Sequence, residues 1–367
     1  MSISARYFAP AFKVEINNTR LASDVSKNIT EISVDNEPGT LDHFSLTIAN
    51  PYPEMRWTHS ADAELFAEGN SIKIQMGYVD DVRPMFDGEI TSISPTFPDG
   101  GMPTVRIEGY SRMHRLQGSQ KTRTFRDVTD KRIAETIATE LHLTPQAEDT
   151  QVTHPYVIQY NQTDFEFLTQ RAARIRFEVV VEGKTLVFRK AEDDQSKTYT
   201  LVWGHAQKGF NPSQKVMPLR SFNPTLNTMG QVSRVIVRGL NPTTREKIEA
   251  RAGTGDEDTK MGGTQTGPQV AARAFGSNNE VVVVDAPIAT QREAEQLARS
   301  LYNDLALQFL TGSGASIGLP DLRAGRVIEL DGLGKRFNGE YYITQATHSL
   351  GGGGYQTTFK VRRNSSG

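Results

Sequence analysis

The chain has 367 residues, with 41 Lys and Arg against 43 Asp and Glu and no cysteine; at roughly 150 residues per domain, that length allows two or three domains. A net charge of −2 argues against dedicated nucleic-acid binding, whose affinity comes from neutralised phosphates. The lack of Cys excludes disulfides, thiolate metal sites, iron–sulfur clusters and cysteine nucleophiles. No window approaches the roughly 18 apolar residues of a membrane span, and the opening MSISARYFAPAFKVEI has no apolar core, so neither a span nor a signal peptide is expected.

In the first third, apolar side chains recur at period two, the spacing that lines one face of a strand. Phe12, Val14 and Ile16 do so first, then Phe44, Leu46 and Ile48, then Ile72, Ile74, Met76 and Tyr78, then Val105 and Ile107. Turn-formers separate them at Asn17-Asn18, Pro38-Gly39, Asn50-Pro51 with Pro53, Asp87-Gly88 and Asp99-Gly100-Gly101, so an antiparallel β module is expected over residues 1–118. From residue 119 the period lengthens: Ile133, Ile137 and Leu141 follow the capping pair Thr129-Asp130 as a helix that Pro145 stops. Thr163-Asp164-Phe165-Glu166 is a capping box that opens a second helix, and Phe177–Val181 with Thr185–Phe188 reads as a hairpin about Gly183. Residues 119–215 form a small α/β unit. Strands return over 216–367 at Val232–Val237, Val281–Val284, Val327–Leu330 and Tyr355–Val361. A helix opened by a second capping box, Thr290-Gln291-Arg292-Glu293, has Ala294, Leu297, Ala298, Leu301, Leu305 and Phe309 on the face expected to pack on the sheet. Residues 252–268 hold five Gly and one large apolar residue, Met261, and read as a mobile loop.

An internal repeat constrains the architecture further. Gly69-Asn70-Ser71-Ile72-Lys73-Ile74 aligns with Gly325-Arg326-Val327-Ile328-Glu329-Leu330, and Phe86-Asp87-Gly88-Glu89 aligns with Phe337-Asn338-Gly339-Glu340. Each copy continues through a strand, a Gly-rich turn and an outgoing strand. Two copies of one β module therefore flank the α/β unit. Three such chains in a closed ring would present six similar modules.

Chemistry-bearing patterns are few. Gly314-Ala315-Ser316-Ile317-Gly318 has the spacing of a nucleophile elbow, but that motif needs a strand before the Ser and a helix after it, so a loop is expected. The histidines at 43, 59, 114, 142, 154, 205 and 348 lack metal-chelating spacing and read as surface or turn residues. Asp80-Asp81, Asp193-Asp194 and Asp256-Glu257-Asp258 lack a calcium-loop arrangement and read as solvated turns. The basic stretch Arg112, Arg115, Lys121, Arg123, Arg126, Lys131 and Arg132, with Asp127 and Asp130 interleaved, reads as a solvated face or a protein contact. No catalytic, cofactor-binding or metal residue is assigned, and no cofactor.

Three phrases in this order resemble one family. They are Phe86-Asp87-Gly88-Glu89-Ile90, the run Tyr160-Asn161-Gln162-Thr163-Asp164-Phe165-Glu166-Phe167-Leu168, and Gly325-Arg326-Val327 through Phe337-Asn338-Gly339-Glu340-Tyr341 to His348 and Gly354-Tyr355-Gln356-Thr357-Thr358-Phe359. The whole chain resembles the late control D family of contractile-tailed phages, baseplate hub proteins whose relatives form the hub part of valine-glycine repeat spike proteins in type VI secretion. The resemblance implies a mainly β fold with an α+β insertion: two tube-like antiparallel β-barrel domains with a small α/β domain between them. It implies a non-enzymatic homotrimer in the tail baseplate of a virion or in an injection particle, made in the bacterial cytoplasm. Its pseudo-hexameric ring would join the hexameric tail tube to a trimeric spike and pass DNA or effector cargo through its lumen. Tube protein, spike protein, baseplate wedge and tape measure protein are the implied partners. Two departures stand out. Arg176 occupies a stretch where the family tends to place Gly, and the chain ends at Gly367 without a spike extension, so a separate spike polypeptide is expected. The alternatives are a tail-associated peptidoglycan hydrolase using two carboxylates and a nucleic-acid-binding regulator.

Overall fold

The computed structural model describes residues 9–49, 64–191, 193, 195–204, 214–241, 243–276 and 278–367. The period-two segments are strands: β1 (Pro10–Ile16), β2 (Ile29–Asn36), β3 (His43–Ala49), β4 (Ser71–Tyr78), β5 (Asp81–Thr96) and β6 (Thr104–Ser111). They lie side by side in the order β1-β4-β5-β6-β3-β2, every pair antiparallel. Their inward residues, among them Val14, Ile32, Phe44, Ile74 and Ile107, form the core of the first module. Among the described residues no ladder joins β1 to β2; Leu21 and Val25, between those strands, pack on the same core.

The middle unit follows as β7 (Lys121–Val128), α1 (Asp130–Glu140), β8 (Thr144–Ala147), β9 (His154–Gln162), α2 (Asp164–Ala173), β10 (Phe177–Glu182) and β11 (Thr185–Lys190). The Thr129 hydroxyl caps α1 by accepting from the Arg132 amide at 3.2 Å. Thr163 and Glu166 form the reciprocal box at the start of α2, at 3.1 and 2.9 Å. Pro145 is not the stop for α1: it lies within β8. The helix ends because His142 takes the left-handed conformation, φ 57°. The amides of His142 and Leu143 then turn back onto the carbonyls of Thr139 and Ala138 at 3.1 and 2.8 Å, a Schellman closure.

The second module contains β12 (Thr200–Val202), β13 (Val216–Leu226), an inserted unit of β14 (Arg234–Leu240), β15 (Lys247–Gly253), α3 (Gly267–Phe275), β16 (Glu280–Val283) and α4 (Gln291–Leu307), then β17 (Leu310–Ile317), β18 (Val327–Asp331), β19 (Gly339–Gly351) and β20 (Gly354–Arg363). Strands β12-β18-β19-β20-β17-β13 close into a six-stranded barrel, because β12 pairs with both β18 and β13. The fold is mainly β, as expected, with two differences. Only this second module closes by ladders among the described residues, and β12 makes its two pairings parallel. A division at residue 215 would also place β12 in the middle unit, although its ladders belong to the barrel.

The apolar stripe of α4 is expected from the sequence to cover the sheet of a single β domain. It covers instead its own three-stranded sheet, β15-β14-β16, with Ala294, Leu297, Ala298 and Tyr302 buried against Val235, Val237 and Ile248. The chain therefore carries a second α/β unit, inserted between β13 and β17. Residues 252–268 are pinned rather than loose. Met261 is 1% exposed and packs with Leu307, Val327 and Tyr342. Glu257 accepts from the Tyr302 hydroxyl at 2.9 Å, and Gln265–Thr266 pairs with Ser365–Ser366. Composition concealed this because one buried methionine and the polar anchors replace a continuous apolar stretch.

The internal repeat is visible in three dimensions as β4-β5-β6 and β18-β19-β20, two antiparallel meanders of the same connectivity. Gly69 and Gly325 enter them with φ 84° and 80°, a conformation that suits glycine. The Gly69 amide donates to Ile90 O at 2.8 Å and the Ile90 amide to Asn70 O at 3.0 Å; Gly325, Ile343 and Arg326 repeat this at 2.9 and 2.8 Å. A bulge follows each isoleucine, between Ile90 and Ser92 and between Ile343 and Gln345. The second phrase of the repeat is misaligned, however. Ile74 faces Phe86 while Leu330 faces Gly339, so Phe86 matches Gly339 rather than Phe337, a slip of two residues. An even slip keeps every side chain on its face, which is why the sequence pattern tolerates it.

Candidate assembly surfaces

The two modules meet edge to edge. Strand β2 pairs antiparallel with β19, from Asn36 opposite Ala346 to Ile32 opposite Leu350. The Thr347 hydroxyl donates to Asp35 at 2.5 Å across this seam. Burial opposes the charge on Asp35, but the hydrogen bonds from His43 and Thr347 hold its carboxyl below the usual range. Nearby, the Tyr78 hydroxyl of β4 donates to Gly318 O at 2.9 Å, and its ring lies 5.8 Å from that of Tyr355.

His348 lies in this seam opposite Val34, fully buried, and is not the surface or turn histidine its scattered position suggested. Its Nε2 lies 3.0 Å from Leu322 O, which only accepts, so Nε2 carries the proton and Nδ1 accepts from the Tyr355 hydroxyl at 3.1 Å. Burial, with the Arg323 charge adding to it, pushes its pKa down to about 3. The unfolded chain takes up this proton near the ordinary value of 6.5 and the folded chain does not. Folding therefore loses about 1.4 kcal/mol per pH unit from this group as pH falls below that value, until its folded pKa is reached. In proton NMR the ring signal that disappears in His348→Gln is expected to stay in its neutral position from about pH 7 to about pH 4.5. A titration midpoint above about pH 5 would contradict the buried neutral ring.

Ionic clusters join the two α/β units. Asp130 accepts from Arg171 Nε at 2.5 Å and lies 3.2 Å from His154 Nε2. His154 Nδ1 faces Glu293 of α4 at 3.5 Å, and Glu293 also pairs with Arg174 at 3.1 Å. The Glu293 amide donates to the Thr290 hydroxyl at 3.2 Å, but the Glu293 carboxylate accepts from the Ala289 amide at 3.0 Å and not from that of Thr290, so the box is only half made. For both carboxylates burial opposes ionisation, yet the cationic partners hold each below the usual range. The same partners tie the units together, as does the Ser300 hydroxyl donating to Ala173 O at 2.6 Å. Arg176 stands left-handed at φ 55°, in the stretch where the resemblance led us to expect Gly. Its guanidinium is buried between Asp193 and Asp258.

The remaining candidates are placed as follows. Ser316 is in strand β17, not a loop; it is buried and donates to Ile317 O at 2.8 Å, with no helix after it. Much of the basic stretch is ion-paired within the chain, although only Arg112 is buried: Arg112 pairs with Asp87 at 2.7 Å, Lys121 and Arg123 with Asp164 at 2.6 and 2.8 Å, and Arg115 with Glu89. Of the acidic turns, Asp81 pairs with Arg83 at the surface, whereas the buried Asp193 and the part-buried Asp258 flank Arg176. Asn50, Pro51, Pro53, His59, Asp194 and His205 lie outside the described residues. Among the described residues no group of three His, Asp or Glu is arranged to hold a metal, and no helix is long and apolar enough to cross a membrane. A polar cleft of 710 Å³ separates the three units near Asp42, Asp87, Arg189, Asp321 and Arg323. Burial pushes the Asp42 carboxyl up to about 6 there. The outer face of β9 exposes Tyr156, Ile158 and Tyr160 in one stripe. The period-two spacing of those residues was the available signal for this face, and a run of three apolar side chains reads equally as buried.

The fold is shared with solved tail proteins. The 43 kDa tail protein of prophage MuSo2 from Shewanella oneidensis is 12% identical with a TM-score of 0.69, over 97% of this chain and 98% of that one. A tail protein from Neisseria meningitidis MC58 is 14% identical with a TM-score of 0.68, over 97% of each chain. The E. coli c3393 protein, a component of the type VI secretion system, is 13% identical with a TM-score of 0.57, over 96% of this chain and 77% of that one. No curated protein sequence matches the chain significantly. A family model described as Alg8 N-terminal domain matches residues 9–351. The chain thus shares its fold with solved phage tail proteins and belongs to the family described as the Alg8 N-terminal domain.

Proposed function

We propose that the chain is the structural hub of a contractile phage tail or a related injection machine. Three copies form a ring of six β modules that adapts a six-fold tube to a three-fold spike. The observation that carries this reading is the duplication: two modules with the same glycine entry, the same paired hydrogen bonds and the same bulge stand edge to edge in one chain. A ring of three then approximates six-fold symmetry on one face and keeps three-fold symmetry on the other. The tail and type VI names of the similar structures agree with it. Tube ring and separate spike are the primary partners, with wedge and tape measure proteins at the periphery, in the baseplate of the assembled particle. The lumen passes DNA or effector cargo, and no catalysis is assigned to the chain.

Light scattering on the purified chain, alone and with its spike, tests this. A particle near three times 40.7 kDa is expected; a stable dimer, or a monomer even with the spike, would overturn the ring. A muralytic assay tests the hydrolase alternative. Turnover abolished by a single Asp or Glu substitution would replace the structural reading.

A further inference from the structure

Each strand of the seam inside the chain has a counterpart in the other module whose corresponding edge carries no strand among the described residues. The counterpart of β2 is β13: both are bulged at one point of the ladder to the next strand, between Ile29 and Glu31 and between Leu219 and Ser221. That match sets Ser33 with Asn223 and Asp35 with Thr225. The counterpart of β19 is β5, whose shared bulge sets Ser349 with Thr96 and Leu350 with Phe97. Among the described residues, the side of β5 that pairs with β4 carries no strand beyond Glu89. The side of β13 that pairs with β12 carries none beyond Pro218. Phe97 is 65% exposed, whereas its counterpart Leu350 is half-buried on the first module's core, across the seam.

We infer that β5 of one copy docks against β13 of a second copy in the register of the internal seam, with Thr96 opposite Asn223, Ser94 opposite Thr225 and Phe97 at Phe222. The inference rests on the ring reading and names its contact. The occupant is a second copy because the contact continues an interface already present: each module presents both edges, and among the described residues of one chain only one edge of each is paired with the other module. Pro95 falls opposite Pro224, so the centre of the ladder lacks two amide donors. Edge prolines of this kind discourage pairing with unrelated extended strands. Backbone pairing is correspondingly short, and side-chain contact with ring closure supplies the rest.

The chain has no cysteine, so introduced pairs report without background. Facing residues of an antiparallel pair lie about 4.5–5.5 Å apart at Cα, within disulfide range. Thr96→Cys combined with Asn223→Cys is expected, under mild oxidation, to give covalent oligomers of up to three chains on a non-reducing gel. Ser33→Cys with Ser349→Cys occupies the equivalent place in the internal seam and is expected to link within one chain. Ser94→Cys with Asn223→Cys is displaced by two residues and is expected to stay unlinked. No oligomers from the matched pair while light scattering shows a trimer would overturn this contact and leave the ring standing. No oligomers from a protein that is monomeric even with its spike would overturn both. Equal linking by the matched and displaced pairs would overturn the register.

Discussion

Arg176→Met is expected to cost about 3–5 kcal/mol of stability, because it leaves the buried Asp193 carboxylate without its cation and takes from Asp258 one of its two guanidinium partners, the other being Arg299 at 2.8 Å. Burial opposes the charge on Arg176, but those two carboxylates raise its pKa, so it is charged throughout the accessible range. Its left-handed backbone costs a non-glycine residue about 1–2 kcal/mol, which Arg176→Gly would relieve without restoring the charge. The glycine variant is therefore expected to remain strongly destabilised. Arg176→Lys loses the fork that reaches both partners and should fall in between. A triple variant with Arg176→Met, Asp193→Asn and Asp258→Asn is expected to lose less than Arg176→Met alone, since no buried charge is left uncompensated. Urea denaturation midpoints measure all four. A loss below about 1 kcal/mol for Arg176→Met would show that the ionic cluster does not hold this junction.

Phe359→Ala is expected to cost about 3–5 kcal/mol, as for other large-to-small changes in a closed core. Phe359 is 3% exposed inside the second barrel, opposite Gly314 on β17. A methyl group on Gly314 would meet its ring at 2.5 Å, so the ring fills the space above the glycine. In the first module the matching pair is Leu46 opposite Ile107, which fills the same place from both sides. The barrel wall around Phe359 is a closed set of ladders that cannot collapse into the void. By contrast Phe97→Ala, at an exposed position, is expected to change the stability of the isolated chain by less than about 0.5 kcal/mol. Thermal or urea unfolding of the two variants compares them directly. Equal effects would mean that the barrel interior relaxes around the missing ring.

What was legible in the sequence depended on local periodicity. Strands with one apolar face, the Thr129 cap, the Thr163–Glu166 box and the hairpin at Gly183 all follow from residues within one or two turns of each other. The repeat was also legible, although its second phrase was aligned two residues out because the eye follows Phe and Gly while the sheet follows its bulges. The buried charges were not legible. His154 and Glu293 are far apart in the chain and meet only when the two α/β units pack, and a scattered histidine carries no local mark of the carboxylates around it.

The amino-acid order alone determined the period-two strands of the first module, the capped helices of the middle unit and the doubling of the β module, since each is written in short-range spacing. The tertiary structure decided which module closes as a barrel, where β12 belongs, that 252–268 is pinned, and which edges are covered. Those outcomes depend on ladders and ion pairs between residues distant in sequence, whose free energy exists only once the chain has brought them together.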